Sequence, residues 1–135
     1  MENKTRDSWI HLAQDAKRNA YIPYSHFPVG ACLVTKDGQT FTGCNIENAS
    51  FGLTNCAERT AIFKAVSDGA KEFQYLVIVG DTEGPISPCG ACRQVVAEFC
   101  DQDMPVLLVG KDSEMKETTV SELLPYMFTS KDFND

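Results

Sequence analysis

The chain has 135 residues, 43% apolar and 23% charged, with a formal net charge of −7, the balance of a soluble domain long enough to bury a core. No apolar run reaches the roughly 18 residues of a membrane-spanning helix, so no membrane partner is expected. The acidic balance, unbroken by any Lys/Arg cluster, argues against nucleic acid, whose binding depends on cationic side chains displacing counterions. Residues 1–135 are expected to form a single domain, and the first residues, MENKTRDSW, lack the apolar core of a signal peptide, which predicts a cytoplasmic protein.

Trp9, Leu12, Ala13, Ala16 and Ala20 recur at helical spacing and predict a helix over residues 5–20, with Pro23 just beyond it. The segment from Tyr21 to Pro28 is aromatic, and its two prolines forbid regular structure. Val29 to Thr35 and Thr40 to Cys44 read as strands around Asp37-Gly38, a hairpin signal. A loop over 45–55 leads to a helix from about Cys56 to Asp68, with Ala57, Ala61, Ile62, Ala65 and Val66 as its apolar stripe and Gly69 after it. Tyr75 to Gly80 is a continuous apolar run, as in a strand buried on both faces. Residues 89–100 predict another helix, with Cys92, Val95, Val96 and Phe99 inward, and Val106 to Val109 another buried strand. Residues 111–116 read as a polar turn, 118–120 as an edge strand, and 121–124 as one helical turn before Pro125. This order predicts an α/β fold, a mixed sheet with helices on both faces.

Six cysteines in a reducing compartment point to metal or catalysis rather than disulfides. Cys56 opens one predicted helix; Cys89 and Cys92 open another, three apart and therefore on one face. Three thiolates can hold Zn²⁺ at three corners of a tetrahedron and leave the fourth open, as in catalytic zinc sites. Glu58, two residues from Cys56, stands where a proton shuttle belongs. Three thiolates and one Zn²⁺ sum to a negative site, which is poor at acidifying water. The two helix N-termini offset that charge, and Arg59 can donate to a thiolate; the part played by Arg93 is open. A Cys-x-x-Cys pair can also be redox-active or structural. A structural site needs a fourth thiol, for which Cys44 is the candidate, while Cys32 and Cys100 read as core. Neither His11 nor His26 has ligand spacing. Asn45 and Glu47 can bind a sugar diol or simply cap their own loop.

Cys-Ala-Glu followed by Pro-Cys-x-x-Cys resembles the pattern of zinc nucleoside and nucleobase deaminases. More narrowly, Asn45-Ile46-Glu47-Asn48-Ala49, Cys56-Ala57-Glu58-Arg59-Thr60-Ala61, Ser87 to Gln94 and Glu122-Leu123-Leu124-Pro125 are similar to the small homotetrameric cytidine deaminases. The likeness runs from about Tyr21 to Phe128. It implies a three-layer α/β/α sandwich with a mixed five-stranded sheet and one Zn²⁺ per chain on Cys56, Cys89 and Cys92. It implies Glu58 as the proton shuttle, Phe27 packed on the nucleoside, and Asn45 and Glu47 on the ribose 3′-hydroxyl. The Ala57 N–H would meet the pyrimidine O2, the Ser87 carbonyl would guide departing ammonia, and Phe128 would stack on the base in a neighbouring subunit of a homotetramer. The activity implied is hydrolytic deamination of cytidine and 2′-deoxycytidine, in pyrimidine salvage. Phe51 stands where many relatives carry Tyr, a departure that bears on an intersubunit hydrogen bond and not on the chemistry. Alternatives are a deaminase of blasticidin-type nucleosides, against which the Asn-x-Glu motif and Phe128 argue, an editing deaminase acting on RNA or DNA, and a zinc-stabilised interaction module with four protein ligands.

Overall fold

The computed structural model describes residues 3–133. Five strands, β1 (Val29–Thr35), β2 (Thr40–Cys44), β3 (Phe73–Gly80), β4 (Pro105–Val109) and β5 (Met115–Thr119), form one sheet in the order β2-β1-β3-β4-β5. Only β3 and β4 run parallel; the other neighbours are antiparallel. Helix α1 (Asn3–Lys17) covers one face, while α2 (Ala57–Ser67), α3 (Gly90–Phe99) and the single turn α4 (Val120–Leu123) cover the other. This is the expected three-layer α/β/α arrangement.

The strands show why both faces must be covered. In β1, Ala31 and Leu33 join the α2/α3 core, while Cys32 and Val34 join the α1 core. In β3, Leu76 and Ile78 alternate with Tyr75, Val77 and Val79, and in β4 Val106 and Leu108 alternate with Leu107 and Val109. A strand that is apolar on both sides of its pleat has no face to give to water. The β1–β2 hairpin turns at Asp37-Gly38, where Gly38 takes φ +93°, a conformation open to glycine at no steric cost.

Some boundaries differ from the sequence reading. Helix α1 stops at Lys17, and residues 18–20 continue as a tightened turn with bonds such as Asn19 N–H to the Ala16 carbonyl (3.0 Å). The chain must break there because Tyr21 pairs with the segment after β2, its N–H donating to the Asn45 carbonyl at 3.0 Å. The last strand begins at Met115, inside the expected polar turn, and Val120 opens α4 instead of ending the strand. Its exposed Lys116 and Glu117 disguised it, since edge strands carry charge that discourages further pairing. Val66 and Phe99, expected to face inward, are both 37% exposed. Each sits in the last turn of its helix, where no further turn follows to shield it.

Register places the functional segments together. Val29 pairs with Gly80, and Gly30 with Cys44. The loops after β2 and β3 therefore leave the sheet beside the chain entering β1, and both return as helices. Gly43 lets α2 settle onto β2: a Cβ there would lie 2.5 Å from the Ala57 carbonyl oxygen and 2.6 Å from the Ala61 nitrogen.

Candidate active site

Cys56 and Cys89 are the N-cap residues of α2 and α3, and Cys92 lies in the first turn of α3. Their sulfurs all lie within 4.8 Å of one another, with Cys56 to Cys89 at 3.8 Å and Cys89 to Cys92 at 3.1 Å. Tetrahedral thiolates at a Zn–S distance of about 2.3 Å stand about 3.8 Å apart. The first pair fits zinc as it stands; the second must open slightly. Among the described residues this is the one such cluster, and Cys44 is not part of it. The donor set is thus three sulfurs on two helix N-termini, whose dipoles favour the negative charge. Cys32 and Cys100 are buried, as core residues should be.

The thiols do not share their protons evenly. Hydrogen bonding from Cys92 holds the Cys56 thiol well below the ordinary thiol range; burial opposes this, and Arg59 lowers it further. Arg59 Nη2 lies 3.4 Å from Cys56 Sγ and 3.3 Å from the Thr54 carbonyl oxygen. Cys92 is pushed up by its bond to Cys56 and by burial. Glu58 is only 3% exposed. Burial lifts its carboxyl to about 7, with the Cys56 charge acting in the same direction against its own backbone N–H, Cys92 and Arg59. A carboxyl that titrates near neutrality can both take and give a proton.

A cavity of about 230 Å³ opens beside the cluster, and its wall includes Phe27, Asn45, Glu47, Cys56, Ala57, Glu58, Ser87 and Cys89. All the residues expected to serve zinc, proton transfer or nucleoside binding within one subunit are thus brought together, with Arg59 and Cys92 behind them. Ala57 is the first residue of α2, so its N–H has no acceptor within the helix. Asn45 and Glu47 also brace their own surroundings. Asn45 accepts from the Val29 N–H (2.9 Å) and donates to the Phe27 carbonyl (2.8 Å). Glu47 accepts from the Tyr24 and Ser25 N–H groups at 3.0 and 3.1 Å and from the Ser25 hydroxyl. The Ser25 hydroxyl is the main cause of the lowered Glu47 carboxyl. Loop bracing and cavity lining coexist, because each side chain keeps hydrogen-bonding capacity beyond these bonds.

Phe128 lies outside this cavity, 57% exposed and packed edge-on against Phe133 with ring centroids 5.3 Å apart. Two participants escaped the sequence reading. Ser25 ties Glu47 to the aromatic loop and accepts from the Phe27 N–H at 3.1 Å; a serine two residues before the bonded amide was the available signal. Arg93, left open, donates to Pro88, Ser87 and Leu123 and to none of the thiols.

Residues 3–108 match the cytidine and deoxycytidylate deaminase zinc-binding region. The chain belongs to that family. It is 57% identical over 125 residues to the cytidine deaminase of Sporosarcina psychrophila, covering 93% of this chain and 92% of that protein. It is 54% identical to the cytidine deaminase of Halalkalibacterium halodurans, over 96% of this chain and 98% of that protein. The crystal structure of the Burkholderia pseudomallei cytidine deaminase superposes with a TM-score of 0.89 at 48% identity, covering 95% of this chain and all (100%) of that one. A blasticidin-S deaminase from Bacillus cereus is more distant, 32% identical over 75% of this chain and 76% of that protein. The chain is accordingly a zinc-binding deaminase-family enzyme acting on a small molecule, and among the described residues no helix is long and apolar enough to cross a membrane.

Proposed function

We propose that this enzyme hydrolyses cytidine and 2′-deoxycytidine to uridine and 2′-deoxyuridine, releasing ammonia. The observation that carries the reading is a buried carboxyl, Glu58, at the edge of a three-sulfur cluster, in a cavity that also holds Asn45 and Glu47. Cys56, Cys89 and Cys92 would hold a zinc ion, which when bound would supply Lewis acidity toward a water molecule.

Glu58 does the proton work. Its carboxylate takes a proton from the water that adds to C4, and gives it to N3 of the ring. C4 becomes tetrahedral. Glu58 then passes the water's second proton to the exocyclic amine, the C4–N bond breaks, and ammonia leaves along the Ser87 carbonyl. One water enters and one ammonia departs, so the carboxylate is restored. The Ala57 N–H meets O2 of the pyrimidine, a fixed dipole at the end of α2 that needs no reorganisation during reaction. Asn45 and Glu47 hold the ribose 3′-hydroxyl, and Phe27 packs on the nucleoside.

Phe128 serves a neighbouring subunit in this reading. It stands outside its own chain's cavity, and elsewhere the chain exposes apolar side chains at Phe51 (78%), Leu53 (69%) and Tyr24 (50%). These suit a homotetramer with active sites at subunit interfaces. Nucleic acid and membrane have no part in it, and the setting is pyrimidine salvage in the cytoplasm, with the whole chain as one domain.

Ultraviolet turnover of cytidine, deoxycytidine, cytosine and blasticidin S, with zinc quantified per chain, tests the reading. The two nucleosides should be deaminated and the other two spared. Preferential turnover of blasticidin S would transfer the assignment to the distant relative's activity. Glu58→Ala should retain zinc and lose activity by at least about a hundredfold, the lower end for a general acid–base; substantial residual turnover would remove Glu58 from its role.

A further inference from the structure

The loop that delivers Cys89 to the cluster is pinned by two buried side chains, Ile86 and Pro88. Ser87 is exposed, Cys89 is exposed, and a Cβ added at the neighbouring Gly90 would meet nothing within 4 Å. The hydrogen bonds that hold Ser87 and Pro88 come from one side chain. Arg93 stands one helical turn after Cys89, its N–H donating to the Cys89 carbonyl at 3.1 Å. Side chains on a helix lean back toward its N-terminus, and Arg93 does so. Its Nε donates to the Pro88 carbonyl at 2.9 Å, and Nη2 donates to the Ser87 hydroxyl at 2.8 Å. The remaining nitrogen, Nη1, donates to the Leu123 carbonyl of α4 at 2.8 Å. Every nitrogen of the guanidinium is engaged, two on the loop and one on a fixed point of the fold.

We infer that Arg93 is a positioning residue for the reaction: its planar fork sets where the Cys89 sulfur and the Ser87 carbonyl stand, with α4 as the anchor. The inference rests on Cys89 and Cys92 as zinc ligands and on Ser87 as the group that meets departing ammonia. A guanidinium suits this task because its donors are fixed in one plane, whereas an ammonium is a point charge on a flexible stem. The partners are oxygens with no formal charge, so the gain is geometric. An arginine so held controls a metal ligand without touching the metal, as hydrogen-bonded supports of ligands do elsewhere.

The test compares the holoenzyme with Arg93→Gln, Arg93→Lys and Ser87→Ala. The readouts are zinc release to excess chelator, the visible spectrum of the cobalt-substituted protein, kcat, KM and the melting midpoint. Arg93→Gln should release zinc roughly ten to a hundred times faster than the wild type. Its kcat and kcat/KM should fall together while KM stays within about twofold, as when a contact made only in the transition state is lost. Arg93→Lys should fall between, and Ser87→Ala should release zinc roughly threefold to tenfold faster, as expected for one lost hydrogen bond. Wild-type release and an unchanged cobalt spectrum in Arg93→Gln, with only the melting midpoint lowered, would overturn the inference. Should that variant not fold, unchanged release in both Arg93→Lys and Ser87→Ala would overturn it equally. A wild-type chain that takes up no zinc would instead remove the metal reading itself, and this inference with it.

Discussion

The two helix starts that meet at the sulfur cluster are alike in sequence and unlike in construction. Each is capped by a cysteine, and each carries an arginine about one turn later, Arg59 three residues after Cys56 and Arg93 four residues after Cys89. One position on a helix is a rotation of about 100°. Arg59 faces the sulfur, at 3.4 Å from Cys56 Sγ, whereas Arg93 faces the preceding loop and bonds oxygens. Packing differs in the same sense. The start of α2 is pressed onto Gly43 with no room for a methyl group, while a Cβ added at Gly90, the first residue of α3, would meet nothing within 4 Å. A helix start already located by backbone packing can use its arginine for charge; one that is not must use its arginine for geometry.

The largest effects test what the two starts share. Cys56→Ala and Cys92→Ala should each lose stoichiometric zinc and more than about a hundredfold in activity, beyond the range for loss of a supporting residue. Metal analysis and turnover check this, and zinc at one per chain in either variant would break the three-sulfur assignment.

Next comes the packing difference. Gly43→Ala forces a Cβ against the backbone of Ala57 and Ala61, atoms that cannot rotate away. The expected cost is about 3 kcal/mol in chemical denaturation. Turnover should drop by about a hundredfold, because α2 carries both Cys56 and Glu58 and a 1 Å displacement is felt on that scale. The matching change at Gly90 should cost no more than about 1 kcal/mol. Equal losses at both glycines would erase the distinction between a seated and an unseated helix start.

Arg59→Gln separates the two arginines. It removes a positive charge from beside a thiol that Cys92 and Arg59 together hold low. In the metal-free protein, alkylation of Cys56 should then require higher pH than in the wild type, while Arg93→Gln should leave that pH dependence in place. Turnover should fall about tenfold in Arg59→Gln. If both variants shift thiol reactivity alike, the contrast between charge and geometry fails.

The sequence made most of this arrangement legible for reasons that are themselves physical. Continuous apolar runs at Tyr75–Gly80 and Val106–Val109 mark strands covered on both sides, and Asp37-Gly38 marks a turn, so the central sheet could be read from period and composition. The cysteine spacing picked out the three sulfurs that the fold brings together and their places at helix starts. What could not be read depends on contacts between distant segments. The true start of β5 was hidden because an edge strand looks polar, and Val66 and Phe99 looked inward because periodicity cannot tell where a helix outruns its cover. The role of Arg93 was invisible for the same reason: its third partner is Leu123, 30 positions away. Asn45 and Glu47 posed a choice between bracing and binding that the fold does not require, since both side chains do the first while facing the cavity.

Thiols outside the cluster give a smaller effect with a definite sign. Burial pushes Cys32 and Cys100 up to about 12, with Asp101 adding to the shift at Cys100. At pH 8.5 an ordinary thiol is about half ionised, whereas one at about 12 is ionised to roughly one part in three thousand. In metal-free native protein, iodoacetamide should therefore label Cys56 first and leave Cys32 and Cys100 intact until unfolding, as peptide mapping would show. The folded state prefers the protonated form of both. Their stabilising contribution is complete below the unfolded thiol value near 8.5 and is lost as pH rises toward about 12, so the melting midpoint should decline across that window and not below it. Rapid labelling of Cys32 in folded protein would contradict its burial.

The smallest change reaches the unseated helix start from its far anchor. Thr119 caps α4, its hydroxyl oxygen accepting from the Glu122 N–H at 3.3 Å, and the last residue of α4 supplies the carbonyl that holds Arg93 Nη1. Thr119→Ala should cost about 1 kcal/mol and lower the melting midpoint by about 4 °C for a chain of this size. A cap that only stabilised the fold would do no more than that. A cap that holds the anchor of the Arg93 fork should also speed zinc release by about twofold, well short of the effect of Arg93→Gln, because the two bonds to Pro88 and Ser87 remain. Zinc release unchanged in Thr119→Ala, against clear acceleration in Arg93→Gln, would confine the fork's action to the loop and show that α4 is a neighbour of the site and not part of its support.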